Sequence, residues 1–208
     1  MNLGKTFSKE DFDIPAPEGT RLVSAKVIGV VENQAPTKAL TFELPVIEGR
    51  VVASGDVCQI ALVERHRATG HVSNGFVSGF GYVDDMAIAS TVAHDSHHMI
   101  VVGTSREDMA LSANRLGEVG GGVVVFKNGK ELALIELPIA GLMSDQPASD
   151  VAAFAAKMME AMVECGCNLN NAFMQHSLLA LVVIPELRIS DLGLVDVNKF
   201  ELTNVLVD

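Results

Sequence analysis

The chain has no tryptophan, one tyrosine and three cysteines among 208 residues. Aromatics make up 5% of it, so aliphatic side chains and nine methionines must fill the core. Three cysteines, Cys58, Cys165 and Cys167, are an odd number, which argues against a disulfide framework. Cys165-Gly-Cys167 can bind a metal or sense redox state, but the isolated pair lacks the four ligands of a structural zinc site. Long hydrophobic runs are also missing. The longest strongly apolar stretch, residues 178–184, falls far short of the ~20 residues of a membrane-spanning helix. Residues 1–9 are polar and carry no apolar signal core. These absences predict a cytoplasmic protein with no membrane partner. Basic residues are few: 15 Lys and Arg against 26 Asp and Glu, for a net charge of −11. An acidic surface repels phosphates, so nucleic acid is not an expected partner.

What the chain does have is a 49% hydrophobic composition, arranged with recognisable periods. Pro15 and Pro17 disfavour helix, so residues 1–19 read as an extended lead-in. Residues 21–80 are strand-like. Leu40, Phe42 and Leu44 alternate with Thr41 and Glu43, predicting one buried and one wet face. Residues 57–63 are almost wholly apolar, as in a central strand. Thr69-Gly70 and Asn74-Gly75 suggest a mobile loop, and Gly79-Phe80-Gly81 a bulge or turn. A first helix starts at Ser105, with Asp108 placed to complete a capping box; Met109, Ala110, Ala113 and Leu116 form its apolar stripe and Gly120 its stop. Asn128-Gly129 predicts a hairpin between residues 123–126 and 131–137. A second helix starts near Ser149, with Val151, Phe154, Ala155, Met158 and Met162 on one face. A third covers residues 170–181, and residues 187–207 return to strand. His176 is expected to be a satisfied core or interface histidine. The predicted class is α+β, a mixed, largely antiparallel sheet with about three helices packed on it. The chain reads as one domain, residues 1–208, with a possible division into a strand-rich lobe 1–95 and an α+β lobe 96–208. High apolar content also predicts a homo-oligomer.

The densest chemistry lies in residues 92–98. Three of the six histidines, His94, His97 and His98, stand with Asp95 and Ser96 between two apolar strands. Imidazoles and carboxylates move protons near neutral pH or bind divalent metals. A turn between strands can make them converge. Two functional readings stay open: an acid–base site built on His94, Asp95 and His97, or a metal site with His94, His97 and His98 as ligands to Mn, Fe or Zn, with His66, His71 or Glu64 supplying the remainder. The alternative is a structural turn in which Asp95 orients one histidine. A second cluster, Glu64-Arg65-His66, follows the central strand. It reads either as solvated residues at a strand end or as a ligand-binding site shared with Ser96 and His98.

Seven ordered blocks give a resemblance. They are residues 12–19 (FDIPAPEG), 63–70 (VERHRATG), 87–103 (AIASTVAHDSHHMIVVG), 108–115 (DMALSANR), 120–124 (GGGVV), 137–145 (LPIAGLMSD) and 184–196 (IPELRISDLGLVD). Together they resemble the C-terminal domain of bacterial adenine deaminases. The resemblance implies a relation to hydrolysis of adenine to hypoxanthine and ammonia, carried out on a metal-bearing amidohydrolase barrel that precedes this domain. The chain has no His-x-His pair, and a barrel needs ~250 residues. It is therefore expected to act as an accessory module, binding a partner barrel subunit or a purine-like small molecule, without efficient deaminase activity of its own. The alternatives are a small metal-dependent hydrolase acting through residues 94–98, and a purely structural or oligomerisation module. Met1 suggests a free-standing protein, with a fragment as the alternative. One departure is local: His98 stands where the family pattern has asparagine.

Overall fold

The computed structural model describes residues 1–207. Nine strands form one sheet: β1 (Leu22–Gly29), β2 (Lys38–Ile47), β3 (Arg50–Val51), β4 (Val57–Val63), β5 (Val72–Ser78), β6 (Met86–Ser90), β7 (Met99–Gly103), β8 (Gly122–Lys127) and β9 (Lys130–Glu136). Their order is β3-β2-β1-β5-β4-β7-β6-β8-β9. Every pairing is antiparallel except β1 with β5. Three helices, α1 (Arg106–Val119), α2 (Ala148–Glu164) and α3 (Ala172–Leu178), flank it, with a small sheet of β10 (Leu187–Ser190), β11 (Gly193–Asp196) and β12 (Glu201–Thr203). The architecture is the α+β class expected from the sequence.

All seven residues of β4 are buried. Successive side chains point to opposite faces. Ile60 and Leu62 join Ile100 and Val102 in a core covered by α2, α3 and the small sheet. Ala61 and Val63 join Met99 and Val101 in a second core under α1 and the N-terminal segment. The lead-in is not wholly extended: a 3-10 turn, Lys9–Phe12, drives Phe12 into that second core. Burial of an apolar ring outweighs the extended bias that the nearby prolines impose.

β2 departs from its predicted alternation. Leu44 is buried, but Leu40 is half-buried and Phe42 is 38% exposed. Only the two-residue β3 lies beyond β2, so little covers that strand. Asn74 and Gly75 are in strand β5, not in a loop. A Cβ on Gly75 would meet Ile189 and Leu194 at 3.7 and 3.8 Å, so the glycine lets the small sheet lie close.

Helix α1 starts as expected, with the Ser105 hydroxyl accepting from the Asp108 N–H at 3.2 Å and Gly120 closing it at φ 87°. Asp108 does not complete the capping box. Its carboxylate instead accepts from the Gly129 N–H at 2.8 Å, anchoring the Asn128-Gly129 hairpin. In α2, Met158 and Met162 are buried, whereas Phe154 and Ala155 are exposed. Helix α3 is shorter than the predicted 170–181. His176 on α3 is fully buried, yet neither ring nitrogen has a partner, so it is not the satisfied core histidine expected. Burial pushes its pKa down to about 3, keeping it neutral beside Phe80. The three cysteines are free and buried, and burial pushes the Cys58 thiol up to about 12 and Cys165 to about 11. Burial pushes the Cys167 thiol up as well, so both cysteines of Cys165-Gly-Cys167 favour the protonated form in the core.

Arg188 is the largest fully buried side chain. Its guanidinium donates to the carbonyls of Ile184 at 2.8 Å and Leu178 at 2.9 Å, and to that of Ala35. It thereby ties the end of α3 and the loop before β10 to the loop after β1. Charged donors to buried carbonyls are among the stronger hydrogen bonds, and removing them leaves the acceptors unpaired. Arg188→Leu is expected to lower unfolding free energy by about 3 kcal/mol or more. Urea denaturation checks this; a loss below about 1 kcal/mol contradicts it.

Candidate functional site

β4 and β7 pair with Val63 opposite Met99. The segments that leave β4 and enter β7 therefore emerge at the same end of the sheet. The loop after β4 closes on itself through the Glu64 N–H and the His71 carbonyl at 3.0 Å. Inside it, the Glu64 carboxylate accepts four bonds: from the N–H groups of His66 (2.5 Å), Arg67 (2.7 Å) and Thr69 (3.1 Å), and from the Thr69 hydroxyl (2.9 Å). Burial alone would raise its pKa, but the bonds from Thr69, Arg67 and His66 prevail and hold it at about 2. Glu64 is thus a fixed anion that shapes the loop. Its accepting sites are occupied, so it is not a free binding group.

The shaped loop presents His66 to the turn before β7. His66 Nε2 lies 2.7 Å from the Ser96 carbonyl, and its ring centroid is 4.6 Å from that of His98. The Arg65 N–H donates to His98 Nδ1 at 3.4 Å. That leaves Nε2 as the protonated nitrogen of the neutral ring, and it faces Asp191 Oδ2 at 3.6 Å. Burial pushes the His98 pKa down, with His66 and Arg65 adding to the shift; Asp191 and Glu64 oppose it without reversing it. Asp191 is carried in by the β10–β11 turn, which the Ser73 hydroxyl fastens by donating to the Asp191 carbonyl at 2.8 Å. Glu64, His66, Arg67, Thr69, His71, His98, Asp191 and Leu192 surround one cavity of about 590 Å³.

The other expected residues go elsewhere. His94 and His97 pair edge-on, with centroids 5.3 Å apart, and His94 is tied to α3 by its N–H donating to the Ser177 carbonyl at 2.9 Å. His97 has φ 52°, and Nδ1 is buried without a partner. Burial pushes its pKa down, and His94 adds to the shift. Arg65 turns away from the cavity and donates to the carbonyls of His97 and Ala140. Asp95 and Ser96 are exposed, and Ser96 contributes its carbonyl oxygen to His66. Among the described residues, no three His, Cys, Asp or Glu side chains are grouped to hold a metal ion. His94, His97 and His98 divide between two ring pairs, so the residues present do not fit the expected Mn, Fe or Zn ligand set.

The chain matches a family model, adenine deaminase C-terminal domain, over residues 34–201. It belongs to that family. The domain is 74% identical over 206 residues to an adenine deaminase of Roseobacter denitrificans, covering 99% of this chain and 34% of that protein. It is 64% identical over 209 residues to an adenine deaminase of Mesorhizobium japonicum, covering 100% of this chain and 34% of the relative. A more distant adenine deaminase, from Moorella thermoacetica, is 45% identical over 208 residues, covering 99% of this chain and 35% of its own length. The chain thus spans about a third of the length of the curated relatives it matches. Among the described residues, no helix is long and apolar enough to cross a membrane.

Sequence reasoning missed Asp191 as a site residue of the domain. No local spacing connects it to His98, and only its place in the 184–196 block drew attention to the segment. Arg67 and Thr69 were passed over because they read as ordinary loop residues, and His71, weighed as a further metal ligand, instead lines the cavity.

The Glu64 shift has a definite sign. Its folded pKa is depressed from 4.5 to about 2, so its contribution to stability is full above pH 4.5 and is lost as pH falls toward 2. Glu64→Gln is expected to flatten the acid limb of the stability curve in that window. Equal slopes for variant and wild type in pH-dependent urea melts contradict this.

Proposed function

We propose that the domain is an accessory module of an adenine deaminase, presenting the cavity at the rim of its sheet to a purine-like ligand or to the partner barrel that holds one. The supporting observation is the convergence of the Glu64-shaped loop, His98 and Asp191 on one cavity from three separate parts of the chain. Its volume of about 590 Å³ falls in the range of small-molecule sites. Its chemistry suits a planar, nitrogen-rich heterocycle. The more exposed His66 ring offers an aromatic face. Protonated Nε2 of His98 donates, and the Asp191 carboxylate accepts from ring or exocyclic N–H groups.

Within this reading His98 and Asp191 orient the ligand, and His66 closes one wall. No step is routed through a metal in this domain, because among the described residues its donor groups do not gather into a ligand set. Activating water for attack on the purine carbon is assigned to the barrel.

The purified domain incubated with adenine is expected to release no ammonia above the uncatalysed rate, with or without added Mn, Fe or Zn. Metal-dependent release at ordinary enzymatic rates overturns the reading. Calorimetric titration with hypoxanthine is expected to give saturable binding that Asp191→Ala weakens about tenfold, the cost of one charge-assisted hydrogen bond. Unchanged affinity in the variant removes Asp191 from the site.

A further inference from the structure

Helix α2 carries apolar residues well beyond the part of it that is packed. Residues 151–156 read Val-Ala-Ala-Phe-Ala-Ala, an unbroken apolar run. Yet the buried residues of the helix are Met158, Ala161 and Met162, all in its second half. A helix segment that is apolar all round belongs in a core or against a partner. Phe154 is 37% exposed, an aromatic ring with water on much of its surface.

The charges around it form a pattern. Asp150, Ala153, Phe154 and Lys157 follow the spacing i, i+3, i+4, i+7 and make one stripe of the helix. All four are exposed. The ion pairs of the described residues include neither Asp150 nor Lys157. An apolar pair therefore lies between one unpaired acid and one unpaired base.

We propose that this stripe docks a second copy of the chain, α2 against α2, antiparallel about a twofold axis. A twofold interface needs a patch that complements itself. With the axis between Ala153 and Phe154, Asp150 of each copy meets Lys157 of the other. Ala153 of each copy meets Phe154 of the other, so a small residue receives a large one at the centre. A parallel arrangement would set Asp150 on Asp150 and Lys157 on Lys157. The chain carries a net charge of −11, so two copies repel at long range. Two complementary ion pairs offset that repulsion locally and select the antiparallel orientation. On the adjoining side of the helix, Val151 and Ala155 line an apolar groove of about 370 Å³ with Met158, Met159 and Phe173. The groove extends the apolar area next to the stripe.

Sedimentation velocity over a concentration series tests this, using the whole chain and variants at these exposed positions. Wild type is expected to be a dimer that dissociates on dilution. Ala153→Glu is expected to be a monomer. Lys157→Asp and Asp150→Lys each place like charges across the axis, and each is expected to weaken the dimer about tenfold. The double variant Asp150→Lys/Lys157→Asp restores both pairs with reversed sign and is expected to regain most of the affinity. Thermal melts by circular dichroism establish that each variant is folded. A monomeric wild type throughout the series overturns the proposal. So does a dimer indifferent to Ala153→Glu, or a double variant no tighter than the single ones. The stripe shares no residue with the rim cavity, so these outcomes leave the purine-site reading standing or falling on its own titration.

Discussion

The pairing of β4 with β7 is the constraint on which the site rests. Both strands are buried along their whole length, so their register is fixed by two apolar cores at once. A slip of one residue would exchange the faces of β7, moving Ile100 and Val102 to one core and Met99 and Val101 to the other. It would also break the register that brings His66 to Ser96 and the Arg65 N–H to His98. The polar groups at the rim are placed by apolar packing behind them. Glu64 then sets the loop by collecting the N–H groups of His66, Arg67 and Thr69.

That division of labour explains what could be read from the sequence. Strand and helix positions followed from periodicity, because burial on one face imposes period 2 or 3.6. The Ser105 cap, the Gly120 stop and the Asn128-Gly129 hairpin were legible for local reasons. The turn at residues 92–98 was also legible, since a polar run between two buried strands has few alternatives. Its internal partition was not. His97 pairs with His94, which is tied to α3, while His98 faces the rim, and that split depends on φ 52° at His97 and on α3, far along the chain. Asp191 was invisible for the same reason: only the fold of the small sheet brings it within 3.6 Å of His98. Glu64 was noticed but given a binding role, because a carboxylate bonded to its own loop and a free one look alike in sequence.

The histidine at position 98, where the resemblance leads one to expect asparagine, acquires a physical meaning in this setting. An asparagine carbonyl can accept from the Arg65 N–H as Nδ1 does here, so the structural contact survives either residue. What the imidazole adds is reach: Nε2 extends to Asp191 and points its proton at that carboxylate. Burial favours the neutral ring, whereas Asp191 favours the charged one. The balance makes His98 responsive to whatever enters the cavity and covers Asp191. His176, equally a histidine, has no such role, because it is sealed in the core beside Phe80.

The most direct test of the account is a nitrogen-15 NMR spectrum of the histidine rings, recorded across pH and on addition of hypoxanthine. The account expects His98 to be the Nε2-protonated tautomer with a pKa below the ordinary 6.5, and the His66 and His98 signals to move together on ligand addition while His176 stays fixed. An Nδ1-protonated His98, or rim signals unmoved at saturating ligand, would contradict it.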